Sequence, residues 1–217
     1  MPNLFRYLPK NEILKRVQDD MRRRNIMILG PKLLLKLVKT KKLVEGLSER
    51  ELTNPEGAGF DLRLGEVYKI SGKAFLGETH RKTAEIELVA KYSGLKKNSG
   101  RIKKSDVQKG KILIKPGDFL LVKTIESVNM PNNLTASITP RSTTYRSGLF
   151  LRTGNVPPGY CGGLIFGLKN EGPITAEIEM GARFVHIQFN EVKGGGNLYR
   201  GQWQGGRVTT KKKEKQV

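Results

Sequence analysis

Cysteine and histidine are scarce in this sequence of 217 residues, which contains one cysteine, Cys161, and two histidines. A single cysteine cannot form a disulfide framework, and such low usage is typical of a reducing compartment. Zinc-dependent nucleobase deaminases hold their metal with His and Cys ligands that include a Cys-x-x-Cys pair, so that class of site is excluded. His186 alternates with Val185 and Ile187 in a strand-like run, which favours a structural histidine.

Long apolar runs and the common nucleotide-binding motifs are also missing. No apolar stretch approaches the ~20 residues that a membrane-spanning helix requires, and the charged start of the chain does not resemble a signal peptide. Neither the P-loop pattern nor Gly-x-Gly-x-x-Gly after a strand occurs. We therefore expect a cytoplasmic protein without a membrane segment and without a P-loop or Rossmann site.

Acidic residues are few, since 20 Asp and Glu stand against 40 Lys and Arg and give a formal net charge of +20. Such an excess favours an anionic partner, namely a nucleotide, a nucleic acid or an acidic surface. A lysine-rich surface that serves only solubility explains the same charge. Charge alone does not separate these interpretations, and no nucleic-acid recognition motif occurs.

The residues that are present predict a mainly β protein with short helices near its start. Apolar residues recur at helical spacing over residues 10–24, and Pro31 suits the first turn of a second helix over 31–38. Turn signals then recur roughly every 8–12 residues, as in a sandwich or barrel. The runs predicted as strands are 60–64, 67–70, 85–90, 112–114, 119–125, 134–138, 164–168, 174–178 and 183–189.

The same pattern divides the chain into parts. Residues 1–30 are predicted to form a basic helical extension and residues 31–208 a β domain, with a loop at 49–59. Residues 92–111 are rich in Gly, Ser, Asn and Lys, which predicts a mobile basic insertion. Residues 194–208 are glycine-rich but carry large aromatic residues, which favours a lid over a ligand rather than a linker. The lysine-rich tail 209–217 is predicted to be disordered.

Chemistry-bearing residues concentrate in residues 140–172. Two guanidinium groups and three hydroxyls occur within six residues, at Arg141, Ser142, Thr143, Thr144 and Arg146. A guanidinium group is a planar fork of donors that matches a phosphate. A Pro-Pro-Gly-Tyr turn follows at 157–160, and a rigid turn can present backbone groups to a flat ligand. This stretch therefore predicts a site for a phosphorylated ligand.

Five short blocks resemble, in order, the motifs of the dCTP deaminase/dUTPase superfamily. The blocks lie at residues 59–65, 141–148, 158–162, 181–187 and 199–205. The chain looks closest to the archaeal-type dUTPase branch of the dCTP deaminase family, over about residues 31–208. One such block is weak, whereas five in order at fitting spacing are specific.

The resemblance implies a distorted β jelly roll or barrel, assembled as a homotrimer with active sites between subunits. It also implies hydrolysis of dUTP to dUMP and pyrophosphate with Mg²⁺, deamination of dCTP without zinc, or both. The Mg²⁺ would be held mainly through phosphates and water, without dedicated protein ligands. We predict dUTP hydrolysis as the activity and dUTP or dUMP as the ligand.

The resemblance also assigns roles to residues. Ser142 would bind a phosphate oxygen, supported by Arg141 and Arg146. The backbone at 156–160 would read the base, and aromatic residues of the lid would close over the nucleotide. Asp61 would lie near metal-bound waters or brace the site. The predicted substrate-binding residues are Arg141, Ser142, Thr143, Arg146, Val156, Gly159, Tyr160, Arg183, Tyr199, Gln202, Trp203 and Gln204.

Two positions depart from the family pattern. Pro157 stands where dUTPases carry the carboxylate that activates water, and Gly167 stands where deaminases carry a proton-shuttling Glu. Proline offers no base, and glycine transfers no proton. Three explanations stay open: a dUTPase whose base is Asp61 or Glu171, a slow hydrolase in which Asn155 positions the water, and a nucleotide-binding protein without turnover. Asp61 and Asn155 are therefore the candidate catalytic residues, and dCTP deamination is a further alternative.

Overall fold

The chain folds around one curled antiparallel sheet. The computed structural model describes residues 28–94 and 110–216, together with Pro9 and Glu12. Apart from Glu12, the predicted helix at 10–24 lies outside the described residues, as does most of the predicted insertion at 92–111. Within residues 28–94 and 110–216, the helices are α1 (Pro31–Lys41), α2 (Glu49–Thr53) and α3 (Ser142–Arg146).

The strands of the described residues overlap every predicted run, and six further strands of two to four residues have no predicted counterpart. They are β1 (Val44–Glu45), β2 (Phe60–Ser71), β3 (Phe75–Leu76), β4 (His80–Lys82), β5 (Glu85–Lys91), β6 (Lys111–Ile114), β7 (Phe119–Asn129), β8 (Leu134–Pro140), β9 (Leu149–Arg152), β10 (Asn155–Val156), β11 (Cys161–Asn170), β12 (Ala176–Glu179), β13 (Arg183–Glu191) and β14 (Glu214–Lys215).

Nine of these strands form the main sheet, in the order β10-β8-β13-β2-β7-β11-β9, with β5 also paired to β2 and β1 to β7. The beginning of β2 pairs with β13, its middle with β7 and its end with β5. Register shifts within these pairings mark bulges in β2, and bulges increase local twist. The sheet curls into half a barrel, which confirms the predicted mainly β, barrel-like fold.

The hydrophobic core lies under the long strands, because alternate residues of a strand point to the same face. Phe60, Leu62 and Leu64 of β2 are fully buried, as is Phe189 of β13. The Phe60 and Phe189 rings meet edge to face with centroids 6.4 Å apart. Burying such a side chain stabilises the fold by ~1.5–3 kcal/mol. Asp61 lies between Phe60 and Leu62 and points to the opposite face of β2, where its carboxylate is also buried.

Helix α1 closes one end of the core through Leu34, which is fully buried. Gly30 precedes the helix and Pro31 occupies its first turn, where a missing N–H costs nothing. The helix ends at Lys42, whose φ is 52° and whose N–H donates to Val38 O at 3.1 Å. The predicted helix at 31–38 is confirmed and continues for three more residues.

The structure differs from the sequence predictions in several places. Residues 60–64 and 67–70, predicted as two strands, form the single strand β2, because its bulge bends the strand without ending it. The bulge requires Gly65, where an added Cβ would lie 2.8 Å from Ile125 N. The predicted loop at 49–59 contains α2, and residues after Arg141 form α3. The tail 209–217, predicted to be disordered, contributes β14, which pairs with β4.

Candidate functional site

Asp61 lies at the centre of a buried cluster of charged side chains and is only 2% exposed. Its Oδ2 accepts a hydrogen bond from Arg183 Nη1 at 2.9 Å and contacts the Arg141 guanidinium group. Its Oδ1 accepts a hydrogen bond from His186 Nδ1 at 2.9 Å. Strand pairing brings these groups together, since β13 places His186 directly opposite Asp61. The carboxylate is saturated, which favours the bracing role for Asp61 over the role of a base that approaches water.

A second buried carboxylate supports Asp61. Glu51 of α2 is fully buried, and its Oε2 accepts a hydrogen bond from Asp61 N at 3.0 Å. The Arg50 guanidinium group contacts Glu51, lies 3.7 Å from Asp61 Oδ2 and donates to Glu56 Oε2 at 2.9 Å. The sequence reasoning missed Glu51 and Arg50, because no local signal shows that a short helix in a loop carries a buried ion pair.

The pKa of His186 is lowered from its ordinary value, because burial disfavours the charged ring. Glu51 and Glu56 act against this shift, whereas the nearby Arg141 lowers the pKa of His186 further. The imidazole is therefore neutral at neutral pH and carries its proton on Nδ1, the nitrogen that faces a carboxylate. This geometry gives His186 a structural role.

The short helix α3 presents polar side chains beside this cluster. Arg141 precedes the helix and reaches back to Asp61. Thr144 is buried and donates from Oγ1 to Phe184 O at 3.0 Å, which fixes α3 to β13. The exposed side chains of the segment include Ser142, Thr143 and Arg146. Their hydroxyl and guanidinium groups face solvent, where they can bind an anion.

A cavity of about 680 Å³ lies between β10, β11, the β3–β4 hairpin and the segment after β13. The predicted site residues that line it are Asn155, Val156, Tyr160, Tyr199 and Trp203. Pockets for small ligands typically measure ~300–1,000 Å³ and have mainly apolar walls. Among the described residues, none of residues 141–146 lines it. Within this chain, the residues predicted to bind the base line the cavity, whereas residues 141–146, predicted to bind phosphate, do not.

The turn at 157–160 is tied to Met130. Gly159 N donates to Met130 O at 3.0 Å, and Met130 N donates to Tyr160 O at 2.9 Å. Gly159 has a φ of 77°, a conformation that glycine adopts without strain. On the other side, Gln204 Nε2 donates to Gly159 O at 3.0 Å, and Cys161 N donates to Gln204 Oε1 at 3.1 Å. Gln204 therefore occupies one of the two acceptor positions of Gly159 O.

The segment predicted as a lid packs against this turn. The Tyr160 and Tyr199 rings meet edge to face with centroids 5.3 Å apart, and Trp203 N donates to Tyr199 Oη at 3.2 Å. Tyr160 Oη donates to Gly163 O at 2.8 Å. Burial, with a further contribution from Tyr199, raises the pKa of Tyr160 to about 12, so this hydroxyl stays protonated.

Two residues of this region hold buried polar atoms without a hydrogen-bond partner among the described residues. The atoms are Nε2 and Oε1 of Gln202 and Nε of Arg81. Arg81 also lines the cavity, although the sequence reasoning did not select it. Buried polar groups normally have partners, so Nε of Arg81 is suited to a polar ligand in the cavity, which Gln202 does not line.

Strand β11 presents no polar side chain at residue 167. Gly167 pairs with Leu121 of β7 and Arg152 of β9. An added Cβ would lie 2.9 Å from Phe119 Cζ, so the Phe119 ring covers this position. Pro157 lines the cavity and offers neither a base nor an N–H.

The described residues contain neither a metal-ligand cluster nor a membrane-spanning helix. Within residues 28–94 and 110–216, no three His, Cys, Asp or Glu side chains come together as ligands for a metal ion. In the same residues, no helix has the length and apolarity to cross a membrane.

Comparison with known proteins identifies the family. A family model described as dCTP deaminase-like matches residues 28–192. The chain therefore belongs to the dCTP deaminase-like family, which confirms the resemblance found in the sequence.

Individual relatives agree with this assignment. A dCTP deaminase from Pyrobaculum islandicum is 32% identical over 185 residues, covering 85% of this chain and 95% of the relative. A "dCTP deaminase, dUMP-forming" from Dictyoglomus turgidum is 27% identical over 169 residues, covering 75% of this chain and 79% of the relative. The crystal structure of 2'-deoxycytidine 5'-triphosphate deaminase from Agrobacterium tumefaciens aligns with a TM-score of 0.55 at 17% identity, over 76% of this chain and 48% of that chain. This chain thus spans about half of that structure, and the likeness supports the fold alone.

Proposed function

We propose that this protein hydrolyses dUTP to dUMP and pyrophosphate in pyrimidine deoxynucleotide metabolism. The observation that carries the proposal is the position of Gly167. No side chain leaves β11 there, and the Phe119 ring fills the adjacent space, so the Glu that the resemblance gives to deaminases has no counterpart. Hydrolysis needs no such proton carrier, and the cavity and the segment 141–146 suit a nucleoside triphosphate.

In the proposed complex, base and sugar occupy the cavity and the triphosphate meets α3. Tyr199 and Trp203 cover the nucleoside by stacking and by excluding water. Hydroxyl and guanidinium donors of residues 142–146 bind phosphate oxygens. Arg141 and Arg183 are held in place by Asp61 and oppose the charge that develops on the phosphoryl group.

Among the described residues, the proposed site lacks an evident general base to activate the attacking water. Pro157 provides no base, and Asp61 is occupied by its cationic partners. Asn155 is exposed and lines the cavity, so its amide can orient a water molecule without deprotonating it. Losing a general base typically slows a reaction by ~10²–10⁴-fold, so we expect slow turnover.

The proposed cofactor is Mg²⁺ carried by the triphosphate. The described residues fit this mode of binding, because their phosphate-binding groups are cationic or hydroxyl and Asp61 has no free oxygen for a metal. Mg²⁺ keeps most of its water and is commonly bound through substrate phosphates, where it would neutralise charge on the leaving pyrophosphate.

We further propose a homotrimer whose active sites combine two subunits. Support comes from the separation of residues 141–146 from the cavity among the described residues of one chain. The α3 segment of one subunit would complete the cavity of a neighbour. A cytoplasmic location remains a prediction.

The experiment is a turnover panel with dUTP, dCTP and dTTP, with and without Mg²⁺, that measures both pyrophosphate and ammonia. We expect Mg²⁺-dependent pyrophosphate release from dUTP, with little from dCTP or dTTP and no ammonia. Ammonia from dCTP would establish the second candidate, deamination, which the names of the relatives favour. Nucleotide binding by calorimetry without either product would establish a binding protein and refute the proposal.

A further inference from the structure

The net positive charge of this chain comes from segments outside the strands that build the candidate site. Residues 46–91 and 112–192 contain 14 basic and 14 acidic residues. The other segments, 1–45, 92–111 and 193–217, therefore carry the whole net charge of +20. The cluster around Asp61 balances its arginines with carboxylates. Nucleotide binding therefore does not account for the excess charge, which points to a separate anionic partner.

Helix α1 displays part of this excess in an ordered row. Lys32, Lys36 and Lys39 are spaced four and three residues apart, so they share one face of the helix, and all three are exposed. No residue of the helix is acidic. Among the described residues, the ion pairs that lysines form with carboxylates involve none of these three. We call these three side chains the lysine row.

We propose that the lysine row binds the phosphate backbone of a nucleic acid without regard to its sequence. The rise of ~1.5 Å per helical residue puts successive lysines ~6 and ~4.5 Å apart along the axis, a spacing comparable to that of backbone phosphates. Ammonium groups act as point charges on phosphates. The row contains no aromatic or Arg side chain that would stack on or read a base.

An acidic membrane surface fits this helix less well. Interfacial helices bury an apolar face among the lipids. The opposite side of α1 is already used, because Leu34 is fully buried in the core. A nucleic acid requires only the exposed charges and leaves the packing of α1 unchanged.

The test is binding of a fluorescent 30-base-pair duplex by the full chain and by the variant Lys32→Gln/Lys36→Gln/Lys39→Gln over a series of salt concentrations. The matched control, Lys69→Gln/Lys115→Gln/Lys169→Gln, removes the same charge from exposed positions on β2, on the turn after β6 and on β11. Each phosphate contact contributes about −0.9 to the slope of log affinity against log salt. We therefore expect the row variant to bind at least about tenfold more weakly at low salt, with a slope shallower by ~2–3. The control should behave like the unmodified chain.

A second measurement uses the unmodified protein. Acetylation footprinting with and without duplex should show protection of Lys32, Lys36 and Lys39, and a duplex of scrambled sequence should protect them equally. The proposal is overturned if the chain does not bind the duplex at low salt, or if the row variant keeps the salt slope of the unmodified chain. It is also overturned if the row and control variants lose affinity equally, or if the chain binds phosphatidylserine vesicles more tightly than duplex. Nucleotide turnover of the row variant reports separately on the proposed hydrolysis.

Discussion

At the residue scale, the properties of the candidate site depend on one buried carboxylate. Asp61 accepts hydrogen bonds from Arg183 and His186 and contacts Arg141. A buried charge of this kind is tolerated because its partners surround it, and removing one side of such a network leaves the other uncompensated. Asp61 therefore links the stability of the fold to the position of a predicted phosphate-binding arginine.

Replacing Asp61 with Asn should lower the free energy of unfolding by ~3–5 kcal/mol, because several cations lose their buried counter-charge. Urea denaturation measures this loss. Asp118→Asn is the control, since Asp118 is exposed and caps a turn by accepting from Lys115 N at 2.8 Å. A loss at Asp61 no larger than in the control would show that the buried cluster does not stabilise the fold.

His186 gives stability a specific pH dependence. Its pKa is lowered in the folded state by burial, from an ordinary value of 6.5, so the unfolded chain binds a proton more readily than the folded chain. The free energy of unfolding should therefore fall as the pH drops below 6.5 and through the lowered folded pKa. His186→Gln should reduce this acid sensitivity in denaturation series. Equal acid sensitivity in the variant and the unmodified protein would contradict the assignment.

At the element scale, Gly167 of β11 leaves room for the Phe119 ring of β7. An added Cβ at Gly167 would lie 2.9 Å from Phe119 Cζ. Gly167→Ala should therefore cost ~1–3 kcal/mol of stability through overpacking. In a Phe119→Ala background the same substitution should reduce stability much less, because the obstructing ring is absent. Thermal denaturation of the four proteins in this double-mutant cycle measures the coupling, and additive effects would rule out the contact.

The C-terminal segment is hydrogen-bonded to the β3–β4 hairpin, because β14 pairs with β4. Thr210 N donates to Thr83 Oγ1 at 2.8 Å and Gln216 N donates to Thr79 O at 2.8 Å. Within the segment itself, Arg207 Nη1 donates to Glu214 Oε2 at 3.0 Å. Deleting residues 207–217 should increase amide hydrogen exchange in the hairpin and in residues 199–206, because both lose their attachment. Truncating only residue 217 is the control. Unchanged exchange after the longer deletion would show that these hydrogen bonds do not stabilise the hairpin.

At the scale of the whole molecule, the predicted active site is divided. Residues 141–146 and the cavity lie apart in one chain, and the proposed trimer unites them. Arg141→Ala and Tyr160→Ala variants should each lose most dUTP hydrolysis. Mixed after dissociation and reassembly, they should regain about a quarter or more of the activity, because some sites receive both intact halves. No recovery in mixed trimers confirmed by light scattering would place both halves within one subunit.

The sequence by itself determined the fold class, most strands, helix α1 and the family, because these follow from local patterns: alternation along strands, turn residues, and motifs such as those at 59–65 and 141–148. It also located five of the residues that line the cavity, namely Asn155, Val156, Tyr160, Tyr199 and Trp203. Tertiary structure alone decided what those residues contact. Glu51 is brought to Asp61 by α2, Phe119 to Gly167 by strand pairing, and β14 to β4 across more than a hundred residues. Such contacts depend on how separate segments pack against each other, and local sequence patterns do not predict that packing.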